Sequence, residues 1–162
     1  MTTMTKRSFL PRAVLAAVLL ALPAAADAPR DQYDRFDGDS VIIKDFFTRL
    51  EWDRRGVLAN VAYVSAAGGC TFVGALEGTG RLPTIKELLT ILDEAPHDEY
   101  ENAGLTPKHI DGVAFADTPV NRPYWSSTFA APGKVWVLSF ATGLMEPLPT
   151  DGTAKANARC VR

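Results

Sequence analysis

Gly80-Arg81-Leu82-Pro83-Thr84-Ile85-Lys86-Glu87-Leu88-Leu89-Thr90-Ile91-Leu92 is the stretch whose reading decides the fold. Thr84 followed three residues on by Glu87 is a capping box. The Thr84 hydroxyl accepts from the Glu87 amide, and the Glu87 carboxylate accepts from the Thr84 amide. Pro83 has no N–H and a fixed φ, so the helix cannot extend backwards through it. Ile85, Leu88, Leu89 and Leu92 stand at i, i+3, i+4 and i+7, one apolar stripe for a core, and Pro96 ends the run. Arg81 carries a planar fork suited to Glu87 or to an acid of the following loop, which it would orient.

Upstream, Val41-Ile42-Ile43 reads as a strand, and a turn near residues 47–49 leads to a second short strand ending at Trp52. Tyr63, Ala66 and Cys70 have helical spacing. Gly68 and Gly69 weaken that helix by about 1 kcal/mol each relative to Ala, or permit a close backbone approach. Downstream, residues 93–123 read as a long irregular loop that opens with five acids in nine residues, Asp93, Glu94, Asp98, Glu99 and Glu101. Phe115 and Val120 would pin it to the core. Tyr124-Trp125-Ser126-Ser127-Thr128 is a strand. Val135 to Phe140 alternates, with Trp136, Leu138 and Phe140 on one face, and Thr142-Gly143 turns the chain into a hairpin. Ala158-Arg159-Cys160-Val161-Arg162 is a closing strand. The sum is a compact α+β domain over residues 41–162. It has two short helices, a small antiparallel sheet closed by its terminal strands, and one long irregular loop.

The 162-residue chain carries more than this domain. Lys6, Arg7 and Arg12 precede an apolar run over residues 13–22, and Ala24-Ala25-Ala26 supplies small residues for a peptidase. This is the pattern of a secretory signal peptide over residues 1–26, too short for a membrane span, and it predicts an exported, periplasmic or secreted protein. Residues 27–40, rich in Asp and Arg, read as a mobile lead-in. Removing the leader leaves 14 basic residues against 19 acidic, a net of −5. The basic residues are scattered along the sequence, so bulk charge gives no reason to expect binding to nucleic acid or to an anionic membrane. Cys70 and Cys160 are the two cysteines. An even count in an oxidising compartment reads as one disulfide. A reactive thiol pair is the rival, without a Cys-x-x-Cys spacing to support it.

These landmarks, in this order, resemble the family typified by the C-terminal domain of bacterial collagen-like adhesins. The match runs from Arg35-Phe36 to the C-terminus. It includes Asp45-x-x-Thr48-x-Leu50-x-Trp52, the helix with Ala66 and Cys70, Arg81-Leu82-Pro83-Thr84-Ile85-Lys86-Glu87-Leu88, Phe115 before Tyr124-Trp125-Ser126-Ser127-Thr128, and the terminal Arg159-Cys160-Val161-Arg162. The resemblance implies a relative of the C-type-lectin-like fold, with a disulfide from the first helix to the last strand and carbohydrate or glycosaminoglycan binding. An Arg-Leu-Pro-Thr helix start is also similar to that of the formylglycine-generating-enzyme fold. Three positions depart from the family pattern. Arg49 replaces a Gly, Tyr63 replaces a Trp, and Gly80 replaces an aromatic residue.

The candidate site residues follow. Tyr124 and Trp125 could offer sugar rings a stacking platform, although such residues more often fill a core. Asp93, Glu94, Asp98, Glu99, Glu101 and Asp111 carry oxygens of the kind Ca²⁺ takes, but without a fixed ligand spacing, and a solvated acidic loop is the commoner explanation. His97 and His109 lack partners at zinc-ligand spacing. Arg81, Pro83, Thr84, Glu87, Trp52, Trp125 and Trp136 read as structural landmarks. The function this predicts is a non-catalytic binding module for a glycan or an envelope partner. The alternatives are an enzyme related to the formylglycine-generating fold and a purely structural envelope domain.

Overall fold

The computed structural model describes residues 29, 31–34, 41–55, 57–72, 75–94, 96–101, 104–115 and 118–162. The expected leader, 1–26, and much of the expected lead-in, 27–40, lie outside them. The elements run β1 (Ile42–Lys44), β2 (Glu51–Asp53), β3 (Leu58–Val61), α1 (Tyr63–Phe72), α2 (Ile85–Thr90), β4 (His97–Glu101), β5 (Gly104–Lys108), β6 (Tyr124–Ala131), β7 (Lys134–Leu138), β8 (Met145–Pro149) and β9 (Ala156–Ala158). The fold is α+β. Its main sheet has the order β3-β9-β6-β7-β8, while β1-β2 and β4-β5 are separate two-stranded ribbons. The β6–β9 pair is parallel, so the main sheet is mixed.

The sheet is open, which corrects the expected closure by terminal strands. β3 and β8 are its edges. β8 is blunted by Pro147 and Pro149, and β3 by a register shift around Asn60, whose φ is +54°. The last residues change partners after Ala158 and make isolated bridges instead, Val161 with both Trp52 and Arg81. The fully buried Arg159 anchors this crossing. Its Nη1 donates to the carbonyls of Asp53 (2.7 Å) and Arg54 (3.1 Å), and its guanidinium lies 5.1 Å from the Phe115 ring centre.

Successive residues of a strand face opposite sides, and here both sides are covered. Tyr124 and Leu138 join Trp52, Ile43, Leu88, Ile91, Phe115 and Phe140 in one core. Trp125 and Val137 join Val135, Leu82, Ala66 and the Cys70–Cys160 bridge in a second. Helix α2 packs on β6 and β7, and α1 on β3, β9 and β6. Trp136, expected to share the buried face of Leu138, is only half-buried.

The capping box forms as the sequence predicts. The Glu87 amide donates to Thr84 Oγ1 (3.2 Å) and the Thr84 amide to Glu87 Oε2 (2.7 Å). The helix is short and its stripe is rotated: Leu88 and Ile91 are buried, and Leu89 is exposed. Strand β6 holds the helix entry. The Ser127 amide donates to the Pro83 carbonyl (2.7 Å) and the Ile85 amide to Thr128 Oγ1 (3.0 Å). One otherwise unpaired first-turn donor is thereby satisfied.

Arg81 completes the assembly with a two-pronged grip on Glu87, Nη1 to Oε2 at 2.8 Å and Nη2 to Oε1 at 2.7 Å. It clamps the helix start, with Glu87 as its carboxylate partner among the described residues. Arg81, joined by the Thr84 donors, holds the Glu87 carboxyl below its ordinary range against an opposing effect of partial burial. The stability tied to Glu87 is therefore present above its ordinary pKa of 4.5 and lost as pH falls through the lowered folded value. Glu87→Gln should cost about 1 kcal/mol at pH 7, discounted for the exposure of the pair, and should flatten the fall in melting temperature between pH 5 and pH 2. Thermal melts of both proteins across that window check it.

The region 93–123 is less irregular than expected, because β4 and β5 pair antiparallel within it, from His97 with Lys108 to Glu101 with Gly104. An acidic run such as His97-Asp98-Glu99-Tyr100-Glu101 has poor intrinsic β-propensity, so pairing overrides composition.

Candidate functional site

The aromatic pair offered as a stacking platform for sugars takes the commoner alternative and fills the core. Tyr124 and Trp125 are both fully buried. The Tyr124 hydroxyl donates to the Pro119 carbonyl (2.8 Å) and Trp125 Nε1 to the Val61 carbonyl (2.9 Å). Their rings meet Phe140 and Tyr63 edge-on. Neither presents a face to a ligand.

The acids are dispersed. Asp93 is buried, and its backbone pairs with His109: the Asp93 amide donates to the His109 carbonyl (3.0 Å), and His109 Nδ1 lies 3.1 Å from the Asp93 carbonyl. Asp111 caps its own turn, Oδ1 accepting from the amides of Val113 (2.8 Å) and Ala114 (2.7 Å). Glu94 and Asp98 are exposed, and Glu99 and Glu101 lie on β4. Among the described residues, no group of three His, Cys, Asp or Glu side chains is placed to hold a metal ion.

Among the described residues, the turn between β1 and β2 has site-like geometry. Asp45 builds it. Its amide donates to the Leu50 carbonyl (2.9 Å), its carbonyl accepts from the Arg49 amide (2.7 Å), and its Oδ1 accepts from the amides of Phe47 (2.9 Å) and Thr48 (3.2 Å). Thr48 Oγ1 then accepts from the Leu50 amide (3.3 Å). This is the physical content of Asp45-x-x-Thr48-x-Leu50-x-Trp52: a side-chain-capped turn that lowers Trp52 into the core.

With the Asp45 carboxylate turned inward, the outer side carries Phe46, 57% exposed, and Phe47, 64% exposed. Beside them lies a shallow cavity of about 260 Å³ lined by Lys44, Asp45, Phe46, Arg49, Leu50 and Glu51. Glu51 is held from two sides, by Lys44 at 4.0 Å and by Arg162 Nε at 2.6 Å. Arg49 sits at φ +62°, where the family pattern has Gly. A left-handed L-residue costs about 1–2 kcal/mol, partly recovered as a smaller loss of backbone entropy than Gly suffers. Arg49→Gly should therefore stabilise the fold by about 0.5–1 kcal/mol, seen as a higher midpoint in urea.

The segment before β1 belongs to this turn as well. Residues 31–34 are seated beside the end of β1. The Asp34 amide donates to the Lys44 carbonyl (3.0 Å), Tyr33 bridges Asp45, and the Tyr33 ring stands edge-on to Phe115 at 5.3 Å.

Two neighbouring phenylalanines could have flagged the site. A strand would have sent one ring inward, whereas a turn exposes both. The seating of residues 31–34 has no such signal, because it rests on hydrogen bonds distant in sequence.

No curated protein matches the chain, and no solved structure matches it. A family model does match, over residues 41–162, and covers the capped turn, both helices, the disulfide and the terminal crossing. This chain belongs to the Lcl C-terminal domain family.

Proposed function

We propose that the chain is an exported, non-catalytic, adhesin-like binding module that takes a carbohydrate at the turn between β1 and β2. The observation that carries the reading is the pair of exposed rings, Phe46 and Phe47, on a turn fixed by Asp45 and bordered by a small cavity rimmed with Lys44, Arg49 and Glu51. Aromatic faces suit the apolar face of a pyranose, and a few convergent polar groups fix its hydroxyls. The cavity lies just below the range of about 300–1,000 Å³ usual for drug-sized ligands, which fits a terminal sugar unit. The net charge of −5 over residues 27–162 disfavours sulfated polymers. Kinship with the C-type-lectin-like fold is part of the reading, supported by the disulfide between α1 and the terminal segment. Thiol chemistry is not, since Cys70 and Cys160 form that disulfide.

A glycan array probed with and without Ca²⁺ tests the proposal. We expect a signal that drops at least tenfold in the Phe46→Ala/Phe47→Ala double variant while its melting temperature stays within a few degrees. No array signal under either condition would remove carbohydrate as the ligand class.

A further inference from the structure

The turn that presents Phe46 and Phe47 is three residues of backbone hung on one carboxylate, and its order depends on what holds that carboxylate. Asp45 Oδ1 accepts from the Phe47 and Thr48 amides, while Oδ2 accepts from Gln32 Nε2 at 3.4 Å. The same Gln32 Nε2 lies 3.4 Å from the Thr90 carbonyl at the end of α2 and 3.2 Å from the Tyr33 hydroxyl. The Gln32 carbonyl accepts from the Phe46 amide at 2.8 Å. Gln32 is 7% exposed, so these bonds form away from competing water.

Tyr33 secures the strap. It bridges Asp45 and packs on Phe115, and its hydroxyl is held protonated by burial and by the nearby carboxylates of Asp45, Asp111 and Asp93. Residues 31–34 thus lie beside the end of β1, through one isolated bridge and the Asp34 bond to the Lys44 carbonyl, and tie the turn to α2 and to the core. They lie before residue 41, where the family match begins.

We infer that Gln32 and Tyr33 are positioning residues for the binding turn: the strap preorganises Phe46 and Phe47, and a chain that keeps only the family-matched stretch presents them loosely. Ordering a flexible loop on binding lowers affinity, so a preformed turn binds more tightly. The effect on affinity rests on the reading of this turn as the ligand site, whereas the effect on turn order does not.

The test uses the full chain with Gln32→Ala, and separately Asp34→Pro, which deletes the strap bond to the Lys44 carbonyl without touching the core. Amide hydrogen exchange is followed by NMR. The Phe46 amide keeps its acceptor, the Gln32 backbone carbonyl, in both variants, so Phe47 and Thr48, bonded to Asp45 Oδ1, carry the result. We expect their exchange to accelerate at least tenfold while the Asp53 and Val161 amides, bonded to the Cys160 and Arg81 carbonyls, stay unchanged. Unchanged exchange at Phe47 and Thr48 in both variants would overturn the inference. For the strongest glycan on the array, affinity should fall at least fivefold in both variants. Faster exchange with unchanged affinity would overturn the positioning role. If the native protein binds no glycan, the functional proposal fails, and the exchange data still decide whether the strap orders the turn.

Discussion

Replacing Cys70 and Cys160 together by Ala is expected to lower stability by about 3–5 kcal/mol. The two half-cystines are 90 residues apart in sequence, with Cα atoms 5.3 Å apart. Closing a loop of that length in the unfolded chain accounts for about 4–5 kcal/mol in the chain-entropy model. The native state adds its own dependence. Helix α1 is ten residues long, carries Gly68 and Gly69, and has no charged residue at either end. A helix of that length is marginal alone, so its hold on the sheet comes through Ala66 and Cys70. Both cysteines are fully buried, so a reductant should act only as the protein opens. Urea unfolding of the native protein with dithiothreitol should then converge on the curve of the double variant. A loss below about 1 kcal/mol would mean that the unfolded chain stays compact enough to make the cross-link redundant.

What could be read in the sequence was what depends on near neighbours. The capping box of Thr84 and Glu87 needs only three residues and a following apolar stripe, and it forms with the bonds its chemistry requires. Tyr63, Ala66 and Cys70 announce α1 by spacing alone. The pairing of Cys70 with Cys160 was expected from there being two cysteines behind a stretch that reads as an export signal, and the bridge is present. Elsewhere a distant partner decided the outcome. Tyr124 and Trp125 could be read as a stacking platform or as core, and nothing local chooses between the two. In the fold α2 covers one side of β6 and α1 the other, so both rings are buried. The acids of β4 looked like a solvated loop because no local rule makes His97-Asp98-Glu99-Tyr100-Glu101 a strand; β5 supplies its pairing from outside.

The candidate site divides along the same line. Asp45-x-x-Thr48 was visible as a pattern, but its meaning lay in which way the carboxylate turns. Once Asp45 is spent on the Phe47 and Thr48 amides, the polar residue becomes scaffold and its apolar neighbours become the surface. A sequence search for chemistry looks first at charged and aromatic-plus-hydroxyl clusters, and so lit on Tyr124 and the acidic run. The exposed residues of interest were two phenylalanines, a type normally assigned to the core.

Gly80→Ala is the single substitution that should hurt most for its size, by about 3 kcal/mol, the upper end of the overpacking range. A Cβ at residue 80 would stand 2.3 Å from the Cys70 carbonyl oxygen and 3.1 Å from Leu76 Cβ. Neither neighbour can move away freely. Cys70 is tied to Cys160, the Gly80 amide donates to the Leu76 carbonyl at 2.7 Å, and the next residue, Arg81, exchanges two backbone bonds with Val161. The clash is with backbone, so no rotamer change relieves it. This also explains a departure from the family pattern: an aromatic side chain at this position requires the end of α1 to lie farther from residue 80 than it does here. Gly68→Ala is the matched control. A Cβ there meets nothing within 4 Å on the same helix, so it should stabilise by about 0.5–1 kcal/mol through helix propensity. Urea midpoints moving in opposite directions for the two Gly→Ala variants would locate the constraint at the contact between α1 and the start of the Arg81-Leu82-Pro83-Thr84 run. A cost below about 1 kcal/mol at Gly80 would mean that the disulfide-bearing end of α1 is free to shift, and the rigid seat inferred for it would not stand.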